Sequence, residues 1–262
     1  MRLREPSPPL LPFLLASSLL GTLLLLHPTP SAAQGTPGLV VELEAGPVWQ
    51  SRNEVQIPND PSGTRFSLEG VAGSGPWPAG RLHLTWNLNR RHSLRVLLAP
   101  FSITETGAIP GQVRFAGETF RREEPVEATY KFNSWRLGYG YRFMDREDLS
   151  LWVGFTAKLR DAKVELRQAG TRARDTDLGF VPLLFLAADK ELAPHWRLRF
   201  DFNGLAGGPG RAFDTALKLA YDFGDRWGVT AGYRTLEGGA DVDSVYSFAW
   251  LHYGVVSGVF RW

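Results

Sequence analysis

The feature that most constrains this chain is the alternation of residue types in its last segment, residues 245–262. Every second position, counted back from the end, is aromatic, aliphatic, glycine or histidine: Trp262, Phe260, Gly258, Val256, Gly254, His252, Trp250, Phe248 and Tyr246. Successive side chains of a β-strand point to opposite faces. The segment therefore predicts a long strand with one aromatic face that has to be kept away from water.

The other end of the chain has the layout of a secretory signal peptide. A basic start precedes the leucine-rich stretch 10–26, and small residues follow at 31–33. This order predicts Sec-type export and cleavage after Ala33. We expect residues 1–33 to be removed and residues 34–262 to form the mature domain, with an uncleaved membrane anchor as the alternative.

Composition narrows the class of protein further. After residue 33 no stretch approaches the roughly 20 apolar residues that a membrane-spanning helix needs. If the chain crosses a membrane, closed β-structure is the remaining solution. Its 29 Lys and Arg residues nearly balance its 27 Asp and Glu residues, so the basic excess of a nucleic-acid-binding protein is missing. The chain has no cysteine, which excludes disulfides and thiol chemistry.

Turn-forming residues divide the mature chain into ten candidate strands, at residues 39–51, 80–88, 93–103, 129–143, 149–166, 177–191, 196–205, 212–223, 227–237 and 245–262. Tight connections at 89–92, 144–148, 192–195 and 224–226 alternate with connections that are longer or richer in Gly and Pro, at 52–79, 104–128, 168–176, 206–211 and 238–244. This alternation is typical of membrane barrels with periplasmic short turns, and ten strands would leave both termini in the periplasm. Eight strands is the alternative count.

The candidate strands carry apolar and polar residues in turn. Trp196, Leu198 and Phe200, for example, alternate with Arg197 and Arg199. An apolar outer face and a polar inner face are the signature of a transmembrane β-barrel. The alternative fold is a soluble β-sandwich in which one face of each sheet is exposed to solvent. Charges of both signs on the polar faces, and aromatic residues near strand ends, favour an all-β, antiparallel transmembrane barrel.

The polar faces predict a charged lumen. Its expected members are Arg81, Arg95, Arg136, Arg142, Lys158, Arg160, Arg197, Arg199, Asp201, Asp214, Lys218, Asp222 and Arg234, with Glu237 as a further acidic partner. Small barrels fill their interiors with side chains, and buried charges have to be paired or solvated. The pattern favours a closed, ion-paired interior, and a channel for small anions is the alternative.

Charged residues in the predicted outer connections have several interpretations. The carboxylates Asp175, Asp177, Glu237, Asp241 and Asp243 can be solvated acids, divalent-cation ligands or an acidic site of the omptin-protease kind. The protease needs a rim histidine, which the predicted topology does not supply. Five arginines suit contacts with lipopolysaccharide phosphates or can be solvated: Arg121, Arg122, Arg172, Arg174 and Arg211.

One histidine lies on the apolar face of the last predicted strand. Ser244, Ser247 and Glu237 are close to His252 in the predicted topology, and a serine–histidine–carboxylate set on the outer face would suit lipid deacylation. Alternatively, a histidine near the membrane interface is tolerated there without any function. The sequence favours this interpretation over a deacylase site.

From residue 129 to the end, the sequence resembles small bacterial outer-membrane β-barrel, porin-like proteins. Residues 130–137, 154–158 and 232–234 and the aromatic terminus carry the resemblance. It implies assembly by the barrel-insertion machinery, which would read Phe260 and Trp262, although Trp262 stands where phenylalanine is commoner.

The sequence therefore predicts an outer-membrane protein with a narrow, charge-filled lumen and a structural role or a role in binding or passing a small ligand. The alternative is an outer-membrane enzyme acting on lipid A or peptides at the extracellular rim. We expect no cofactor and no metal. The expected partners are outer-membrane lipid, lipopolysaccharide and the barrel-assembly machinery, without nucleic acid.

Overall fold

A computed structural model describes residues 38–122 and 124–262 of the chain. The predicted signal peptide and its cleavage site lie outside the described residues. Among the described residues, the structure contains no helix with the length and hydrophobicity required to cross a membrane.

The described chain contains fourteen β-strands and one short helix. In chain order they are β1 (Gly38–Gln56), β2 (Phe66–Ser67), α1 (Leu68–Ala72), β3 (Trp77–Asn87), β4 (His92–Ala99), β5 (Ser102–Gly107), β6 (Val113–Phe115), β7 (Glu118–Phe120), β8 (Val126–Asp145), β9 (Leu149–Gln168), β10 (Thr171–Ala193), β11 (Trp196–Gly207), β12 (Gly210–Asp222), β13 (Trp227–Val242) and β14 (Val245–Arg261).

The long strands close into an antiparallel barrel. Each pairs with its neighbours along the chain, and β14 pairs with β1 to complete the ring. The strands β4 and β5 both pair with β8, so together they form one wall segment interrupted at Pro100 and Phe101. The barrel therefore has ten wall segments, as predicted, and the eight-stranded alternative is wrong.

The alternation along each strand separates an apolar exterior from a polar interior. Leu43 and Trp49 of β1 are exposed on the outside, whereas Glu44 between them is buried. The exposed apolar belt continues around the barrel through Trp86, Leu137, Phe155, Phe180, Leu184, Trp196, Leu217, Trp227, Tyr233, Trp250 and Val256. The two faces of β1 therefore alternate as the sequence pattern predicts.

The two ends of the barrel differ. One end, which we call the terminal end, carries Gly38, Arg261 and the tight turns at 88–91, 146–148, 194–195 and 223–226. The other, the loop end, carries the long connections 57–76 and 108–125.

Three connections predicted as loops at the loop end are in fact two-residue turns between longer strands. The turns are at 169–170, 208–209 and 243–244. Ala169 and Gly170 both have positive φ, the conformation that closes a tight hairpin. At the 169–170 hairpin the sequence pattern missed the strand ends because their outward residues are charged: cross-strand ion pairs such as Glu165 with Arg172 replace apolar contacts there.

The two long connections fold into the bore and form an apolar plug. The plug consists of Phe66, Leu68, Val71, Ile109, Val113, Phe115 and Phe120, all buried. Its helix α1 contacts β1, β5 and β8. It packs on inward-facing wall residues such as Val55, Val126 and Leu251, which are almost fully buried. The plug therefore fills one side of the bore at the loop end.

Candidate functional site

The middle of the bore holds a buried group of charged residues, which we call the central charge cluster: Glu42, Glu44, Arg81, Arg136, Lys158, Asp214, Lys218 and Arg234. Its hub is Asp214, which is 2% exposed. One oxygen of Asp214, Oδ2, accepts hydrogen bonds from Arg81 Nη1 at 3.0 Å and Arg136 Nη2 at 2.6 Å. The other, Oδ1, accepts one from Arg234 Nη1 at 2.6 Å.

A second buried carboxylate extends the cluster to β1. Arg234 Nε donates to Glu44 Oε1 at 3.0 Å, and Lys218 Nζ donates to Glu44 Oε2 at 3.0 Å. Lys218 also pairs with Glu42. Charged hydrogen bonds of this kind can offset the cost of removing ions from water when every group is paired.

The pairing is incomplete on one side of the cluster. Lys158 is 3% exposed and makes no ion pair or hydrogen bond with any described residue; its Nζ lies 4.6 Å from the centre of the Phe132 ring. Arg136 Nη1 is buried without a hydrogen-bond partner in the same part of the chain. Buried polar groups without partners are uncommon in native proteins and call for an explanation.

A cavity of about 660 Å³ lies above this unpaired side, towards the loop end. Lys158, Arg136 and Asp214 line its floor, and turn residues including Pro209 and Ser244 line its far end. Its walls come from inward-facing residues of β8 to β14 and are mainly apolar: Phe132, Val164, Val181, Leu183, Leu205, Leu236 and Ala249. The size is that of a small-molecule site.

Polar residues lie along one wall of the cavity near its mouth. Asp177 pairs with Arg160, and Asp175 is close by on β10. Both carboxylates lie beyond Leu178, the last outward-facing apolar residue of that strand. Burial, and then the neighbouring Asp177 carboxylate, raise the pKa of Asp175.

All thirteen residues predicted for the lumen lie on the inward-facing register, but they do not form one network. Arg81, Arg136, Asp214, Lys218 and Arg234 join the central charge cluster with Lys158. The others form smaller pairs: Arg95 with Asp201, Arg160 with Asp177, Arg142 with Asp145, Arg197 and Arg199 with Asp189, and Asp222 with Arg261.

Sequence reasoning missed two members of the cluster and misplaced a carboxylate. Glu42 and Glu44 alternate with Val41 and Leu43, a pattern that would have identified them as inward-facing. Glu237, expected inside, lies on the outer register opposite Trp250. It pairs with Arg211 of the neighbouring strand β12, whose side chain also lies on the outer register.

The arginines proposed to meet lipopolysaccharide all lie at the loop end. Arg172 pairs with the buried Glu165, and Arg211 pairs with Glu237. The remaining three are exposed: Arg121, Arg122 and Arg174. Phe260 and Trp262 lie at the terminal end, where Phe260 packs on Trp227 with ring centres 4.6 Å apart.

His252 has neighbours that the sequence did not suggest. Its Nε2 is 2.7 Å from Ser51 Oγ, and its Nδ1 is hydrogen-bonded to the hydroxyl of Tyr233. A register shift between Gln50 and Arg52 leaves Ser51 outside the regular strand pairing. The expected Ser244, Ser247 and Glu237 make no hydrogen bond with His252.

The loop-end carboxylates do not converge on a common point. Within residues 38–122 and 124–262, no group of three or more His, Asp or Glu side chains is arranged to hold a metal ion. Asp241 instead accepts a hydrogen bond from Asn59 Nδ2 at 2.8 Å, which holds the 57–76 connection against β13.

No protein-family model and no curated protein matches this sequence. Solved structures do match. The outer membrane protease OmpT of Escherichia coli matches with a TM-score of 0.59 at 8% identity, over 88% of this chain and 99% of that chain. Ail of Yersinia pestis matches with a TM-score of 0.40 at 11% identity, over 88% of this chain and 100% of that chain. Neisserial surface protein A matches with a TM-score of 0.36 at 14% identity, over 85% of this chain and 95% of that chain. The match to OmpT shows that this chain has the fold of an outer-membrane β-barrel.

Proposed function

We propose that this protein is exported, inserted by the barrel-assembly machinery and resident in the bacterial outer membrane. Its loop end would face the cell surface and its terminal end the periplasm. The continuous exposed apolar belt supports contact with lipid, because soluble proteins rarely leave such a surface in water. Tight turns at one end and long hairpins at the other support the orientation.

Within that barrel, we propose that the loop-end cavity binds a small ligand and that the bore does not pass it. The observation that carries this proposal is the position of the cavity directly above the central charge cluster. Asp214 on β12 bonds to Arg81 on β3 and Arg136 on β8, strands from the opposite side of the ring. These bonds bridge the bore below the cavity, and the apolar plug fills the bore beside it.

A conductance measurement tests whether the bore is closed. Mature protein reconstituted in planar bilayers should show little or no current, with anion preference in any residual current, because the cluster has more cations than carboxylates. Large, cation-selective openings would contradict both the closure and the charge assignment.

Binding tests the cavity itself. Protein in lipid nanodiscs should bind decan-1-ol beyond the partitioning measured with empty nanodiscs, because the walls of the cavity are apolar. Ala212 lines the cavity, so Ala212→Trp should weaken this binding at least tenfold by filling the space. Ala231 is an exposed residue of the outer register and provides the control, Ala231→Trp. Equal loss in both variants, or no binding by the wild type, would defeat the proposal.

The exposed loop-end arginines support a contact with anionic lipid headgroups as part of the same proposal. Arginine binds phosphate through planar, two-pronged hydrogen bonds. Arg121, Arg122 and Arg174 would supply these contacts, because Arg172 and Arg211 are already engaged with carboxylates.

A second candidate function is ester hydrolysis on the lipid-facing wall. The observation that favours it is the Ser51 Oγ–His252 Nε2 distance of 2.7 Å, the reach a histidine base needs to activate a serine nucleophile. The group on Nδ1 is Tyr233 rather than a carboxylate, which orients the ring but stabilises an imidazolium less. Because Tyr233 is a weaker third partner than a carboxylate, we rank ester hydrolysis below ligand binding.

Ester release from lipopolysaccharide or phospholipid by purified protein tests this candidate. Hydrolysis by the wild type that is lost in Ser51→Ala and kept in Ser247→Ala would support it. Absence of ester release from the folded wild type would remove it.

A further inference from the structure

The central charge cluster contains more positive than negative charge. Its five cations are Arg81, Arg136, Lys158, Lys218 and Arg234, and they face three carboxylates, Glu42, Glu44 and Asp214. The neighbouring pair of Arg95 and Asp201 is balanced and leaves the excess unchanged. An uncompensated charge is costly away from water, so the excess calls for an anion.

The cation that has no carboxylate partner, Lys158, is on the cavity side of the cluster. Lys218 and Arg234 are fully engaged with Glu42, Glu44 and Asp214, and Arg81 with Asp214. Lys158 has no carboxylate partner among the described residues, and Arg136 keeps Nη1 free while Nη2 bonds to Asp214. Both side chains are at least nine-tenths buried, and both line the cavity floor.

The walls next to the floor are apolar and disfavour a fully polar anion, whereas charged side chains such as Arg160 and Asp177 line other parts of the cavity. Above Lys158 the walls are formed by Phe132, Val181, Leu183 and Leu205. When the apolar part of a ligand binds against these walls, apolar surface is removed from water. The gain in binding free energy is roughly 25 cal/mol per Å² of apolar area buried. A ligand with an apolar body and one charged end would satisfy both the walls and the floor.

We infer that the cavity takes an amphipathic carboxylate, with its carboxylate on Lys158 and its apolar body against the walls. The inference rests on the proposed function, since it names the ligand class of the same cavity. The Lys158 ammonium can donate charge-assisted hydrogen bonds to a carboxylate, and such bonds are stronger than neutral ones. The ligand enters from the loop end and leaves the bore bridged beneath it.

The experiment compares decanoate with decan-1-ol on the full mature protein in nanodiscs, at a pH where the carboxylate is ionised. Isothermal titration should show the wild type binding decanoate at least tenfold more tightly than decan-1-ol, after correction for empty nanodiscs. Lys158→Met should reduce that preference to less than twofold, because it removes the ammonium that the carboxylate would meet. Lys190, paired with Asp148 at the terminal end, provides the matched control Lys190→Met, which should keep the preference.

The outcomes separate the two proposals. Equal affinity for decanoate and decan-1-ol in the wild type, or a preference that survives Lys158→Met, overturns the carboxylate inference and leaves cavity binding standing. No binding of either probe overturns both. Folding is a separate readout: Lys158→Met replaces an unpaired buried cation with an apolar chain of similar length, so its unfolding midpoint should not fall. A fall would mean that Lys158 already has a partner.

Discussion

The central charge cluster and the apolar plug occupy the same bore and exclude water by different means. The cluster consists of side chains from the barrel walls, held by charged hydrogen bonds between opposite strands. The plug consists of connections folded inward and held by packing of Phe66, Phe115 and Phe120 on wall residues. The cluster therefore joins the walls to one another, whereas the plug adds a core on top of walls that are already closed.

This difference determines how each region should respond to mutation. Removing one partner from a buried ionic network leaves the remaining charges unpaired and desolvated. Removing methylene groups from an apolar core costs transfer free energy and leaves a cavity. We therefore expect the cluster to respond more steeply to a single substitution than the plug does.

The largest effect is expected for Arg234→Met. Arg234 is 1% exposed and bonds to both Glu44 and Asp214, so its loss removes a charged partner from each of these two buried carboxylates. Glu44 then keeps Lys218, and Asp214 keeps Arg81 and Arg136. The free energy of unfolding should fall by about 3–5 kcal/mol, measured by urea titration of protein refolded in micelles. The control is Arg226→Met in an exposed tight turn. An Arg234→Met barrel as stable as this control would mean that the cluster does not join the walls.

A smaller effect is expected for Leu68→Ala in the plug. Leu68 is fully buried at the start of α1, and truncation should cost about 2–5 kcal/mol, with the lower part of the range expected at the edge of the bore. Proteolysis of the 57–76 connection should accelerate while the barrel itself stays folded. Leu217→Ala, on the outer wall, is the control. Cooperative unfolding of the whole barrel in Leu68→Ala would show that plug and walls are one unit.

The smallest effect is expected for Arg52→Met at the loop end. Arg52 pairs with Glu54 at 2.6 Å, but both side chains are 38% exposed, so the pair should contribute about 0–1 kcal/mol. The hydrogen bond from Arg52 lowers the pKa of Glu54, which lies beyond the apolar belt. This small contribution is present above the ordinary pKa of a glutamate and is lost as the pH falls through the lowered value. If Arg52→Met lowered the free energy of unfolding as much as Arg234→Met, buried and exposed ion pairs would contribute equally to stability, contrary to our expectation.

The strands were predictable because the membrane-facing and lumen-facing registers alternate over many residues. All ten wall segments are where the alternation indicates, and the four tight turns lie at one end. The prediction was wrong at the hairpin tips, for instance at 168–176, where β9 and β10 continue. There the outer face meets water, so apolar alternation stops although strand pairing does not.

The candidate site was only partly predictable. Lys158 and Arg136 could be recognised as inward-facing, but nothing in the sequence distinguishes them from Lys218 or Arg81, which are paired. The plug was invisible to the pattern, because the segments 57–76 and 108–125 have no strand alternation. The Ser51–His252 contact depends on a local register shift in β1 and could not be read from spacing.

The sequence by itself determined which face of each strand is apolar, because the side-chain direction in a strand has a period of two and needs no knowledge of the partners. Only the tertiary structure decided which inward charges meet. Asp214 bonds to arginines from β3, β8 and β13, and these contacts exist because barrel closure brings strands distant in the chain to the same level of the bore. The same closure left Lys158 beside a cavity rather than beside a carboxylate.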